Sequence, residues 1–147
     1  MKEVRRMVLL LAAIMGCATA PPRDVGDLLS EARANEVAAF GKNRTQRLRV
    51  TGVVAATGLD QYLSAVARTN GLGYIEATQQ AVTYPYLLLS GQSGSPYDMV
   101  RCYFASASAE EVGRVTRGTR LVVRGTFDQY FHQPPVLTLV LNSCDIE

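Results

Sequence analysis

The sequence has no tryptophan, one histidine and three cysteines among 147 residues, and only 7% of it is aromatic. The lone histidine, His132, stands beside Gln133, Pro134 and Pro135 with no serine, aspartate or cysteine pattern of the kind that makes a triad. Cys102 and Cys144 lie far apart in the chain, and with one remote histidine they form no convincing metal-ligand set. Glycine-rich phosphate loops are missing, as are internal repeats and low-complexity tracts beyond the first residues. No apolar run reaches the roughly 20 residues that a bilayer-spanning helix needs. An enzyme would lack a nucleophile, a metal and a nucleotide handle here. The expectation is a binding protein with no catalytic residue, no metal and no cofactor.

What is present is a globular composition, 48% hydrophobic and 19% charged, of one domain's length. It is preceded by a leader: Lys2, Arg5 and Arg6, then an apolar run from Met7 to Met15, then Gly16 and Cys17. The segment Ile14, Met15, Gly16, Cys17 resembles the bacterial lipobox, although Met15 departs from the smaller residues commoner there. The resemblance implies that Cys17 is lipidated and becomes the mature N-terminus; the alternative is an ordinary signal cut near Ala20. Ala18, in place of an inner-membrane-retaining aspartate, favours the outer membrane, with the domain facing the periplasm. The expected division is a signal peptide over 1–16, a tether over 17–23 and a domain over 24–147, with the membrane as partner through the lipid. Losing Lys2, Arg5, Arg6 and Glu3 with the leader turns 15 basic against 13 acidic residues into 12 against 12. A neutral mature chain is a poor candidate for nucleic acid, whose binders draw most of their affinity from phosphate contacts.

Apolar residues at Val25, Leu28, Leu29, Ala32, Ala39 and Phe40 predict a helix from Asp24 as N-cap to Gly41 as C-cap. Asn35 and Glu36 interrupt its stripe, and Asn35 is expected to bond neighbouring backbone. Arg47 to Thr57 alternates with period two, Leu48, Val50, Gly52 and Val54 on one side. Its central glycine calls for a bulge, a sharp coil or a close backbone approach, in a strand bent enough to serve two sheets. Leu59, Tyr62, Leu63 and Val66 have helical spacing before the stop signal Asn70–Gly71, so Leu59 to Thr69 reads as a short helix or an insertion. Thr83 to Ser90 is a strand with Pro85 expected near its start or on an edge; Gly91 to Pro96 is a turn. Asp98 to Ala105 completes the hairpin, its core face carrying Val100, Cys102 and Phe104. Ser108 and Glu111 suggest a capping box on a two-turn helix closed by Gly118. Arg120 to Phe127 and Val136 to Leu141 are the last strands, joined by a turn over Gln129 to Pro135.

This order resembles a five-stranded OB barrel, mainly β, with an N-terminal helix and a short helix between strands 3 and 4. Three stretches narrow the resemblance: Asn35 to Val54, Val100 to Ala105, and Gly118 to Phe127 with Leu137 to Glu147. Together they resemble the exported OB domains called tRNA anticodon-binding-like. That resemblance implies an uncharacterised binding module, because the name records fold and fold does not fix function.

An OB domain that binds single strands presents aromatics and basic residues on its outer face, and Arg47, Arg49, Tyr84, Tyr86, Arg101 and Tyr103 are the candidate ligand-binding residues here. Tyrosines of this kind are also ordinary strand formers. A protein, a peptide or an envelope polymer is the expected partner; the alternative is a single-stranded nucleic acid, and a purely structural domain is a third reading. In an OB barrel the third and fifth strands are neighbours, so Cys102 and Cys144 are a candidate disulfide in an exported protein. Cys144 is out of phase with core-facing Leu139 and Leu141 unless a bulge intervenes near Asn142 and Ser143. The alternative is two reduced thiols packed in the core.

Overall fold

The computed structural model describes residues 20–69, 71–73 and 75–147; the leader and Cys17 lie outside them. The order is β1 (Arg23–Asp24), α1 (Val25–Ala34), α2 (Glu36–Asn43), β2 (Arg47–Thr69), β3 (Ile75–Ser90), β4 (Asp98–Tyr103), a 3-10 turn (Ser106–Ser108), α3 (Ala109–Gly113), β5 (Arg120–Gln133) and β6 (Val136–Ile146). The sheet runs β1-β2-β3-β4-β6-β5, and β2 also pairs with β5, so five long strands close into a ring. The β4–β6 pairing is parallel; the other four contacts around the ring are antiparallel.

β2 makes closure possible by serving two neighbours. Arg47 to Val53 pairs with β5, and Val53 to Thr69 pairs with β3, with a register shift between Val54 and Ala56. A Cβ on Gly52 would lie 2.9 Å from both the Ser90 carbonyl oxygen and Val25 Cγ2, so only glycine lets the strand bend this close to its neighbours. Leu48, Val50 and Val54 point inward, as their alternation requires. They meet Leu87 and Leu89 of β3, Val100, Cys102 and Phe104 of β4, Val123 and Phe127 of β5, and Leu137, Leu139 and Leu141 of β6. Onto this core α1 lays the stripe Val25, Leu28, Leu29 and Ala32, each at most 1% exposed. Full burial of one such leucine contributes about 1.5–3 kcal/mol.

The single helix read over Asp24 to Gly41 is two. Asp24 does cap α1, its Oδ1 accepting from the Gly26 N–H at 2.8 Å. Asn35 then turns extended, and its Oδ1 accepts from the Ala38 N–H at 3.0 Å, ending one helix and capping the next. Gly41 lies inside α2 and caps nothing; Arg44 is the C-cap. The reading of Leu59 to Thr69 as a short helix also fails: β2 runs straight through it and pairs with β3 as far as Thr69 and Ile75. Pairing with β4 reaches only Tyr86, so beyond it β2 and β3 form a two-stranded arm. Pro85 sits inside β3 rather than at its start, just past the end of the β4 ladder; its carbonyl accepts from the Phe104 N–H at 2.9 Å. The Ser108 capping box does not form, because the 3-10 turn delivers Ser108 in a near-helical conformation with no side-chain cap bond. β5 and β6 run longer than their alternation suggested and meet at Pro134–Pro135.

Cys102 and Cys144 are joined by a disulfide with Cα atoms 5.9 Å apart. The phase problem is solved by an irregularity in β6. Arg124 pairs with Asp145 and Thr126 with Asn142, so Gly125 alone faces both Ser143 and Cys144. Ser143 takes a positive φ of 52°, which turns Cys144 back to the core. A Cβ on Gly125 would stand 2.6 Å from the Cys144 Sγ, so glycine is required opposite the bridge.

Residues 20–24, which include the end of the stretch read as a tether, lie against the sheet. Arg23 and Asp24 pair in parallel with Val50 and Thr51, and the Ala20 carbonyl accepts from Arg49 Nη1 at 2.5 Å.

A candidate ligand groove

The residues that alternate outward from the core on β3, β4, β6 and β5 share one surface. Tyr84 lies on β3, Arg101 and Tyr103 on β4, Thr138 and Asn142 on β6, and Gln129 and Phe131 on β5; Tyr62 adds to them from the β2 side of the arm. They line an open groove of about 1130 Å³.

The Tyr62 side is fixed by a hydrogen-bonded network. Tyr103 Oη donates to Asp60 Oδ2 at 2.6 Å and accepts from Tyr62 Oη at 2.9 Å. Arg101 Nη1 reaches both the Tyr103 oxygen and Asp60 Oδ2 at 3.3 Å, and its guanidinium lies 4.8 Å from the centre of the Tyr86 ring. Burial and the Asp60 carboxylate push the Tyr103 phenol well above the ordinary tyrosine range, so it stays a neutral donor. Tyr62 packs near Tyr84 and Tyr103 at centroid distances of 6.0 and 6.1 Å. These contacts hold the rings in place without a ligand, while Tyr62 remains 49% exposed.

The two arginines of the groove are each matched by a carboxylate. Arg101 faces Asp60, and Arg47 at the far end is ion-paired with Asp145. Asp128 also lines the groove and has no ion-pair partner among the described residues. With Asp128, three carboxylates stand at the groove against two arginines, so it has no excess of cations.

Of the six residues read from the sequence, Arg47, Tyr84, Arg101 and Tyr103 line the groove. Tyr86 lies against Arg101 and Tyr103 without lining it. Arg49 belongs to another surface, bound to Glu147 through Nε at 2.9 Å and Nη2 at 2.5 Å. Asp60, Tyr62, Asp128 and Phe131 went unread. The signal for the first two was Asn70–Gly71: taken as a helix stop, this dipeptide is also the strongest short mark of a hairpin. The ladder closes at Thr69 and Ile75 with five residues between them, rather than the two of a tight Asn-Gly turn, and that register puts Asp60 opposite Tyr84. His132 stands on β5 with Nδ1 3.4 Å from Glu36 Oε2. Among the described residues no group of three or more His, Cys, Asp and Glu could hold a metal ion.

No protein-family model matches this chain, and no curated protein sequence matches it. Among solved structures it is similar to a Klebsiella pneumoniae protein named a "putative nucleic acid-binding lipoprotein", with a TM-score of 0.62 at 13% identity. The match covers 89% of this chain and 94% of that one. At this identity the likeness is one of fold.

Proposed function

We propose that this chain is an exported, lipid-anchored OB-fold domain that binds, without catalysing, an extended and nearly neutral polymer of the cell envelope, a protein segment or a glycan. The observation that carries the reading is the groove itself: tyrosines fixed beside Arg101, which like Arg47 at the far end is already ion-paired. Ring faces and neutral hydrogen-bonding groups suit such a chain, whereas a polyphosphate backbone needs an excess of cations over carboxylates, which this groove does not have. The OB assignment is supported by the closed order β2-β3-β4-β6-β5, by the parallel β4–β6 pair and by α3 between β4 and β5. It fits the resemblance to the tRNA anticodon-binding-like exported domains. The leader and Cys17 support the lipid anchor, and Ala18 the outer membrane facing the periplasm; the Klebsiella neighbour's name also contains the word lipoprotein.

That same name favours a second reading, a single-stranded nucleic-acid binder. Titration separates the two. With no tryptophan, the near-ultraviolet emission comes from seven tyrosines. Envelope glycan fragments, unstructured peptides and oligothymidine are titrated against the mature chain. The proposal expects saturable binding of a glycan or peptide with little salt dependence, weakened by about 1 kcal/mol or more in Arg101→Ala and in Tyr103→Ala. Steeply salt-dependent binding of oligothymidine alone would establish the second reading instead. No change in either variant would remove the groove as the site.

A further inference from the structure

The chain enters the fold at a defined point. Ala20 is held by Arg49 and Arg23–Asp24 by β2, so only Ala18 and Thr19 separate the first secured residue from Cys17. Three extended residues reach about 11 Å at most, close to the roughly 8–10 Å over which charges act in physiological salt.

Beside this entry point Arg23, Lys42, Arg47, Arg49 and Arg124 line a shallow depression of about 600 Å³. Their carboxylate partners are too few. Glu31 is shared by Arg23 and Lys42, Glu147 by Arg49 and Arg124, and Asp145 serves Arg47. Five cations against three carboxylates leave this face positive in a mature chain that is neutral as a whole. Lys42, the most exposed of them, has 56% of its side chain open to solvent.

We infer that this face docks on the anionic phospholipid headgroups of the membrane that carries the protein, which fixes the domain's orientation; the inference rests on the lipid at Cys17 proposed above. Charge complementarity and the shortness of the connection select this occupant. Arg47 lines both this depression and the groove, so the groove opens beside the bilayer and takes its ligand at the membrane surface.

The test uses the full lipidated protein in vesicles. With Cys17 occupied and Cys102 bridged to Cys144, a single introduced thiol carries a fluorophore, placed by Gln46→Cys in the depression or by Arg117→Cys in the exposed turn before β5. Headgroup-attached quencher in phosphatidylglycerol-containing vesicles should quench the label at 46 at least about threefold more than the label at 117. That ratio should fall toward one in pure phosphatidylcholine, and in the Lys42→Glu, Arg124→Glu double variant. Equal quenching at the two positions, or a ratio indifferent to anionic lipid, overturns the docking. Mass spectrometry of the N-terminal peptide is run in parallel. An unlipidated Cys17 overturns the anchor itself and the docking with it, whereas a lipidated Cys17 with equal quenching overturns the docking alone.

Discussion

The bridge between Cys102 and Cys144 spans 42 residues of sequence and encloses α3, β5 and most of β6. Both half-cystines are buried, at 0% and 5% exposure, and the strands they sit on are already neighbours through the parallel β4–β6 ladder. Most of the bond's effect therefore falls on the unfolded chain. Loop closure over about 42 residues stabilises the fold by about 4 kcal/mol in the chain-entropy account. At an unfolding entropy of roughly 2.1 cal/mol/K per residue, a folded portion of about 125 residues would lose about 15 °C in melting temperature. The comparison is best made between oxidised and reduced forms of the same chain, because replacing either cysteine would also open a small void in the core. Denaturant unfolding followed by circular dichroism, with and without a phosphine reductant, should give the same slope within about 20% and a stability lower by about 3–4 kcal/mol on reduction. A loss below about 1 kcal/mol would refute the loop-entropy reasoning. Alkylation of both cysteines in the unreduced protein purified from the envelope would refute the bridge itself.

Asp98 is 1% exposed and accepts from Arg33 Nε at 2.8 Å, and the same guanidinium donates to the Pro135 carbonyl at 2.8 Å, so one pair ties α1, the start of β4 and the β5–β6 turn. Asp98→Ala should lower the melting temperature by about 5 °C or more; thermal denaturation no different from wild type would show that the three elements hold together without it. Glu31 is held below its ordinary value of 4.5 by hydrogen bonds from Lys42 and then Arg23. A depressed carboxyl stabilises the fold fully above its unfolded value and loses that contribution as pH falls through the folded one. Acid unfolding of Glu31→Gln should thus differ from wild type above about pH 4.5 and converge with it further down; a constant offset at all pH values would contradict the assignment.

Much of the fold was legible in the sequence because its cues are local. Leu48, Val50 and Val54, then Val100, Cys102 and Phe104, announced buried strand faces through a period of two. Gly52 announced a bend, and the mismatch between Leu141 and Cys144 called for the irregularity that Ser143 supplies. The stripe Val25, Leu28, Leu29, Ala32 marked α1 at the helical period. Where two local cues competed, the sequence alone did not choose. Leu59, Tyr62, Leu63 and Val66 satisfy helical spacing, and only the ladder to β3, propagated outward from the ring, makes the segment a strand. The groove follows from that choice. Asp60 reaches Tyr103 across 43 residues, Arg47 reaches Asp145 across 98, and Arg49 reaches Glu147 across 98. Whether an arginine is open to a ligand or already neutralised depends on these distant partners. Local pattern could propose Arg47, Arg49, Tyr84, Tyr86, Arg101 and Tyr103 as outward-facing, but ring closure alone decided which of them share one surface, because side chains so far apart in sequence meet only when the strands between them are paired.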